Sequence, residues 1–164
     1  MINISQIEAI RQRVLEIIPE GAPLEQTCLY HAMAACNVLG PACKLVAGSA
    51  HWRITYNDTG SNPLFFSYEF TPGFTLEGSM MPEMHVWNTY KGKVLDLTTK
   101  YTPIQCKNML GVDFDLTLPE YLYAKADDKK KERWAYYEKP AATQMANQMV
   151  MLALAEHEGR VVYV

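Results

Sequence analysis

One segment of the sequence constrains the fold more than any other. Residues 27–39 contain no Asp, Glu, Lys or Arg, and their alanines, Ala32, Ala34 and Ala35, are strong helix formers. Thr27 is an acceptable N-cap residue, and Gly40-Pro41 predicts the end of the helix. A helix with so little charge has to be buried and closely packed. The other elements must therefore surround it.

An amphipathic helix is predicted near each end of the chain. Between residues 4 and 18 the apolar positions recur at helical spacing, and Ser5 with Glu8 resembles a capping box. The last helix is expected over residues 141–157, ending before Gly159. Its apolar side is expected to consist of Met145, Met149, Leu152 and Leu154. This methionine cluster is interpreted as core that fills gaps rather than as a binding groove.

Strands are predicted between these helices, with turn residues separating them. They are expected at 44–47, 52–56, 64–70, 84–90, 93–98 and 160–164. Short helices are expected at 105–110 and 119–124. Residues 124–140 are interpreted as a surface helix, with a lid or a partner site as the alternatives. Because strands and helices do not alternate regularly, we expect one α+β domain over residues 1–164.

Composition and charge exclude several classes of protein. The net charge of −3 argues against a nucleic-acid binder, and the one basic run, at 129–131, is flanked by acidic residues and reads as a solvated loop. No apolar stretch approaches the ~20 residues of a membrane span, and the N-terminus shows no secretion signal. A cytoplasmic location is expected. The four cysteines form no Cys-x-x-Cys pair, so no metal or cofactor is expected.

Cys28 stands at the start of the predicted buried helix. A thiol there lies at the positive end of the helix dipole, which favours a thiolate. The N–H groups of the first turn can also donate to an oxyanion that forms on an attacked carbonyl. Gln26 is a further candidate oxyanion donor. The alternative interpretation is that Cys28 is one more small apolar residue of a buried helix.

A catalytic thiol needs a base, and the chain has four histidines. His31 follows Cys28 on the same helix face, His157 is expected to be structural near a helix end, and the role of His51 stays open. A general base usually comes from a separate element on which an acid can orient it. His85, in the predicted hairpin, meets that condition best.

A two-residue turn at Lys91-Gly92 would determine the register of that hairpin. Counting outward from the turn, Trp87 faces Asp96, and His85 is the diagonal neighbour of Asp96 on the same face. Diagonal Cβ atoms are roughly 7 Å apart or somewhat less, within reach of an Asp–His hydrogen bond. A slip of one residue would place the two side chains on opposite faces.

Three segments together resemble the core motifs of the transglutaminase-like superfamily. They are residues 28–35 (CLYHAMAA), 85–87 (HVW) and 92–96 (GKVLD). The resemblance extends over about residues 28–98 and implies a papain-like core, in which the buried helix packs on an antiparallel sheet. It implies Cys28 as nucleophile, His85 as general acid and base, Asp96 as the orienting acid and Trp87 in the core. Thr27 departs from the Gly or other small residue that often precedes the cysteine in relatives.

The implied reaction is acyl transfer through a thioester, catalysed by a small cysteine peptidase or amidase that acts on a peptide or protein. The sequence does not choose between water and an amine as acceptor. Another class of function is a catalytically inactive domain that binds a peptide or protein partner. A metal site using Cys28, His31 and Cys36 or Cys43 fits no familiar spacing. In an ordinary scaffold all of these residues would be core.

Overall fold

The computed structural model describes residues 1–23, 27–54, 64–71, 84–111 and 118–157. The protein combines helices with an antiparallel sheet, so the α+β prediction is confirmed. The helices are α1 (Ile4–Ile17), α2 (Cys28–Leu39), α3 (Thr102–Leu110, after a 3-10 turn at Thr99–Tyr101) and α4 (Pro140–His157). The strands are β1 (Cys43–Ile54), β2 (Leu64–Tyr68), β3 (His85–Tyr90), β4 (Lys93–Asp96), β5 (Leu122–Ala124) and β6 (Trp134–Glu138).

The sheet is built around the long strand β1. β1 pairs with β3 through Cys43–Gly48, with β6 through Gly48–Trp52 and with β2 through Ala50–Ile54. Beyond β3 come β4 and β5. The chain after β5 returns to β6, where Tyr136 N donates to Ala126 O at 2.8 Å and Asp128 N to Trp134 O at 3.1 Å. The sheet therefore curls into a half-barrel.

The two faces of the curled sheet bury different side chains. The inner face is aromatic and is formed by Trp52, Phe66, Trp87, Trp134 and Tyr136, with Cys106 of α3 packed against them. The outer face carries α1, α2 and α4. Residues of α1 and α2 pack against Tyr90 and Leu95, and Ala142 and Ala146 of α4 pack near Ala47 and Val86. The layers follow from strand alternation, because neighbouring residues of β3 and β4 point to opposite faces.

The alanine-rich helix α2 is buried as the sequence predicts. Ala34 and Ala35 are fully inaccessible, and the helix ends at Gly40, whose φ is +77°. Asn88 of β3 donates from Nδ2 to the Ala32 carbonyl at 3.0 Å and so ties α2 to the sheet. Small side chains let helix and sheet approach closely, which holds Cys28, the first residue of α2, against the sheet.

Two sequence-based expectations about local structure are wrong in detail. The capping box of α1 uses Asn3 and Gln6 instead of Ser5 and Glu8: Asn3 Oδ1 accepts from Gln6 N at 2.8 Å, and Gln6 Oε1 accepts from Asn3 N at 3.0 Å. The strands expected at 44–47 and 52–56 form the single strand β1. Its middle residues find partners on β6, which lies far away in sequence.

Tertiary pairing also overrides two predicted helices. Residues 119–124 contain the strand β5, which pairs with β4, and residues 124–140 contain β6 rather than a surface helix. The sheet buries Leu122 of the first segment and Trp134 and Tyr136 of the second, and long-range pairing of this kind leaves no local signal. The closing strand expected at 160–164 lies outside the described residues.

The last helix packs through different residues from those expected. Leu152 and Leu154 are 56 and 42% exposed, whereas Ala142 and Ala146 are fully buried. Thr143 explains why α4 lies so close to β1, because its Oγ1 accepts a hydrogen bond from Ala47 N of β1 at 2.9 Å. Within the described part of the chain, no helix is both long and apolar enough to span a membrane.

Gly48 of β1 pairs with both His85 of β3 and Glu138 of β6, and it has no room for a side chain. We predict that Gly48→Ala lowers the free energy of unfolding by about 3 kcal/mol, because backbone must move to admit the new methyl group. A Cβ there would overlap Tyr137 O and would lie 2.8 Å from Lys139 N. Urea denaturation followed by tryptophan fluorescence measures the change.

The matched control is Gly111→Ala. Gly111 has a φ of +75°, and an added methyl group would meet no atom within 4 Å, so only backbone strain opposes the change. We expect a loss of about 1 kcal/mol. Equal losses for the two variants would contradict the steric argument.

Candidate active site

The β3–β4 hairpin has the predicted register. Lys91 and Gly92 form its turn, with φ values of +51° and +78°, and Tyr90 pairs with Lys93 and Asn88 with Leu95. His85 and Asp96 consequently point to the same, inner face. His85 Nε2 lies 2.6 Å from Asp96 Oδ2, and both side chains are buried. The hairpin thus brings the predicted acid and base into direct contact.

Asp96 is held by further donors. Its Oδ1 accepts from Thr98 N at 2.8 Å and from Thr98 Oγ1 at 2.7 Å, as in an Asx turn. Its Oδ2 also accepts from Tyr136 Oη of β6 at 2.8 Å. Tyr136 Oη in turn accepts from Trp52 Nε1 of β1 at 3.1 Å. The carboxylate is therefore positioned from β1, β4 and β6 together.

Aromatic rings surround the His85 imidazole. Tyr68 and Trp87 lie nearly parallel to it, with ring centroids 5.7 and 6.0 Å away and interplanar angles of 11° and 23°. Trp52 presents its ring at 87° with centroids 5.1 Å apart. Aromatic faces attract a cation, so these rings suit an imidazolium as well as exclude water. Trp87 is buried in the core beneath the hairpin, as predicted.

Burial and charge act in opposite directions on this pair. Burial favours the neutral form of His85, but the adjacent Asp96 carboxylate and the Cys28 side chain outweigh it and raise the pKa of His85 to about 10. Burial likewise opposes ionisation of Asp96, yet His85 and the Thr98 donors lower its pKa to about 2. Near neutral pH the pair is an imidazolium and a carboxylate. Burial and the neighbouring Asp96 keep Tyr136 a neutral donor, because they raise its pKa well above its usual value.

Cys28 also interacts with the His85 ring. It is half-buried at the first position of α2, and its thiol forms a side-chain hydrogen bond with His85. Since Nε2 is occupied by Asp96, the ring nitrogen left for the thiol is Nδ1. The first N–H that bonds within α2 is that of His31, so the amides of Cys28 and Leu29 have no acceptor within the helix.

The remaining candidates do not join this group. His31 is buried, and its Nδ1 lies 2.9 Å from the Thr27 carbonyl, which can only accept, so Nδ1 carries the proton. Burial lowers the pKa of His31 and makes it a neutral, structural residue. His51 packs against Phe65 at 4.7 Å between centroids. Gln26 and the side chain of His157 lie outside the described residues.

The metal-site alternative receives no support from the residues in view. Among the described residues, no three His, Cys, Asp or Glu side chains are grouped so that they could hold a metal ion. Cys36 and Cys43 adjoin each other, with their sulfurs 3.9 Å apart, at the opposite end of α2 from Cys28.

Sequence reasoning missed Thr98, Tyr136, Trp52 and Tyr68. Thr98 carried a usable signal, since Asp-x-Thr is a common side-chain-to-backbone turn. Tyr136 carried none, because it lies on a strand that sequence reasoning took for a surface helix. Trp52 and Tyr68 were placed on strands, but only strand pairing shows which face they share with His85.

Comparisons with known proteins add no assignment. No protein-family model matches the sequence, and no curated protein or solved structure is significantly similar to it.

We predict that the His85 imidazole titrates near pH 10 and falls below its usual pKa of 6.5 in Asp96→Asn, where burial is no longer opposed by a carboxylate. The 15N and 13C chemical shifts of the imidazole ring, followed by NMR as pH is varied, measure the pKa of His85 in the wild-type protein and in the variant. Because the pKa is raised by folding, the stability that His85 contributes is complete below pH 6.5 and is lost as pH rises to about 10. The stability that Asp96 contributes is present above pH 3.8 and is lost as pH falls to about 2, because folding lowers its pKa. Titration of His85 near 6.5 in the folded wild-type protein would contradict the ion pair.

We also predict that Tyr136→Phe lowers the free energy of unfolding by about 2 kcal/mol, because it removes a donor to Asp96 and leaves the buried Trp52 N–H without its acceptor. Tyr137→Phe is the matched control. Tyr137 is 49% exposed, and its loss should cost less than about 0.5 kcal/mol. Chemical denaturation of both variants compares them, and equal effects would contradict the role of Tyr136.

Proposed function

We propose that the protein is a thiol-dependent acyl-transfer enzyme in which Cys28 is the nucleophile, His85 the general acid and base, and Asp96 the orienting acid. The observation that carries this proposal is the arrangement of one imidazole between two partners. His85 Nε2 bonds Asp96 at 2.6 Å, while the Cys28 thiol bonds the same ring. Nucleophile, base and orienting acid in this order are what thiol catalysis requires.

The geometry supports the following reaction. The Cys28 thiolate attacks an amide carbonyl, and the N–H groups at the start of α2 donate to the oxyanion. The His85 imidazolium then gives its proton to the leaving amine as the C–N bond breaks, and a thioester on Cys28 remains. Asp96 stabilises the imidazolium and keeps the ring oriented throughout. Water, activated by the now neutral His85, hydrolyses the thioester and restores the thiolate.

The substrate class follows from the resemblance to the transglutaminase-like superfamily, which we extend here to a papain-like core and to a peptide or protein amide as substrate. The packing of α2 on an antiparallel sheet, with the cysteine at its first position and the histidine and aspartate on adjacent strands, supports this extension.

A catalytically inactive domain explains the site less well. Burying a charged pair is costly, and replacing such a pair with apolar residues often leaves stability unchanged or improves it. A domain that only bound a peptide would gain nothing from an imidazolium beside a thiol. An enzyme needs both.

Alkylation kinetics test the proposal. We expect iodoacetamide near neutral pH to modify Cys28 rapidly, and about tenfold or more slowly in His85→Ala, because the imidazolium that favours the thiolate is gone. Mass spectrometry with peptide fragmentation locates the label. N-acetylcysteine in the same reaction is the reference for an unactivated thiol, because Cys106 is completely buried and Cys36 adjoins a second thiol.

The matched control is His51→Ala, which removes a histidine packed on Phe65 away from the site. It should leave the Cys28 rate unchanged. Circular dichroism establishes that each variant folds, and His85→Gln replaces His85→Ala if the latter does not. A Cys28 rate that is the same in wild type and in a folded His85 variant would overturn the proposal.

A further inference from the structure

Two cysteines adjoin each other at the end of α2 remote from Cys28. Cys36 lies in the last turn of α2 and Cys43 is the first residue of β1, and only the turn at Gly40 separates the two elements. Their sulfur atoms are 3.9 Å apart. A disulfide requires about 2.0 Å, so the two sulfurs need to approach each other by only about 2 Å to form one.

The surroundings distinguish the two thiols. Asn88, itself buried, directs Nδ2 towards Cys36 Sγ at 3.4 Å, and Cys43 is buried whereas Cys36 is half-buried. The hydrogen bond between the two thiols, with smaller contributions from Asn88 and the charge of Lys44, lowers the pKa of Cys36 although burial opposes it. The same hydrogen bond raises the pKa of Cys43. Cys36 is thus the thiol that ionises first and meets solvent.

A reagent can reach this pair. Both cysteines line a cavity of about 310 Å³ between α2, β1 and α4, together with Met33, Lys44 and Asn147. A partly exposed, electropositive setting beside a second thiol is typical of redox-active cysteines. The buried Cys106 packs in the inner core instead, as a structural thiol does.

We propose that Cys36 and Cys43 form a redox-active dithiol that a small disulfide oxidises to an intramolecular disulfide. The inference does not depend on the proposed acyl-transfer function, because Cys28 takes no part in it.

The exchange proceeds in two steps. The Cys36 thiolate attacks one sulfur of the small disulfide, whose S–S bond breaks, and the first small thiolate leaves with a proton from solvent. Cys43 then attacks the Cys36 sulfur of this mixed disulfide and passes its proton to the second departing thiolate. Two protein thiols lose two electrons in total, and one small disulfide is reduced to two thiols.

The sequence offers a clean assay in the variant Cys28→Ala. Trypsin cleaves after Arg13 and Lys44, and in this variant the peptide 14–44 contains Cys36 and Cys43 as its two cysteines. After equilibration of the folded protein with oxidised glutathione and quenching with iodoacetamide, we expect this peptide unlabelled and about 2 Da lighter than its reduced form. Dithiothreitol should restore two labels. The peptide carrying Cys106 reports on folding, because that thiol should react only after denaturation.

Two further variants assign the roles. With Cys43→Ser added, Cys36 should accumulate as a stable glutathione adduct, whereas with Cys36→Ser added, Cys43 should stay a thiol. Two labels on peptide 14–44 at every glutathione ratio, or a disulfide that joins two chains on a non-reducing gel, would overturn the proposal. If Cys28→Ala does not fold, Cys28→Ser provides the same peptide and the same readout.

Discussion

The hydrogen bond between His85 Nε2 and Asp96 Oδ2 joins two groups that would each be costly to bury alone. An isolated carboxylate or imidazolium in an aromatic interior would become neutral, whereas each of these two stabilises the charge of the other. Thr98 and Tyr136 donate further hydrogen bonds to Asp96, and Trp52 donates in turn to Tyr136. The aromatic core, the hairpin and the curl of the sheet all meet at this interaction.

The same interaction links the site to the closure of the half-barrel. Asp96 is on β4 and Tyr136 on β6, and two other strands, β3 and β1, lie between them in the sheet. Their side chains touch because the sheet curls, and the curl brings β6 to β1 at Gly48, beside the start of β3. The residue that permits close backbone approach thus lies next to the first residue of the candidate active site.

Helix α2 carries thiols in two different chemical settings. Cys28 lies at its first position beside an imidazolium, and Cys36 lies eight residues later, about 12 Å along the axis, beside another thiol. The middle of the helix is alanine-rich and packed against the sheet, so both sulfurs are held by one rigid element. The proposed acyl transfer depends on the first setting, and the proposed disulfide formation depends on the second.

Local patterns along the chain are enough to define part of the site. The uncharged residues 27–39 had to form a buried helix, and the Lys91-Gly92 turn set a register that placed His85 and Asp96 on one face, because strand periodicity leaves no other choice. Long-range packing supplied what these patterns do not encode. Residues 119–124 and 134–138 became strands because β4 and β1 offered them edges, which brought Tyr136 to Asp96 from 40 positions away. Long-range packing also brought Cys28 to His85. The contact between a helix end and a sheet depends on the packing of whole elements rather than on spacing along the chain.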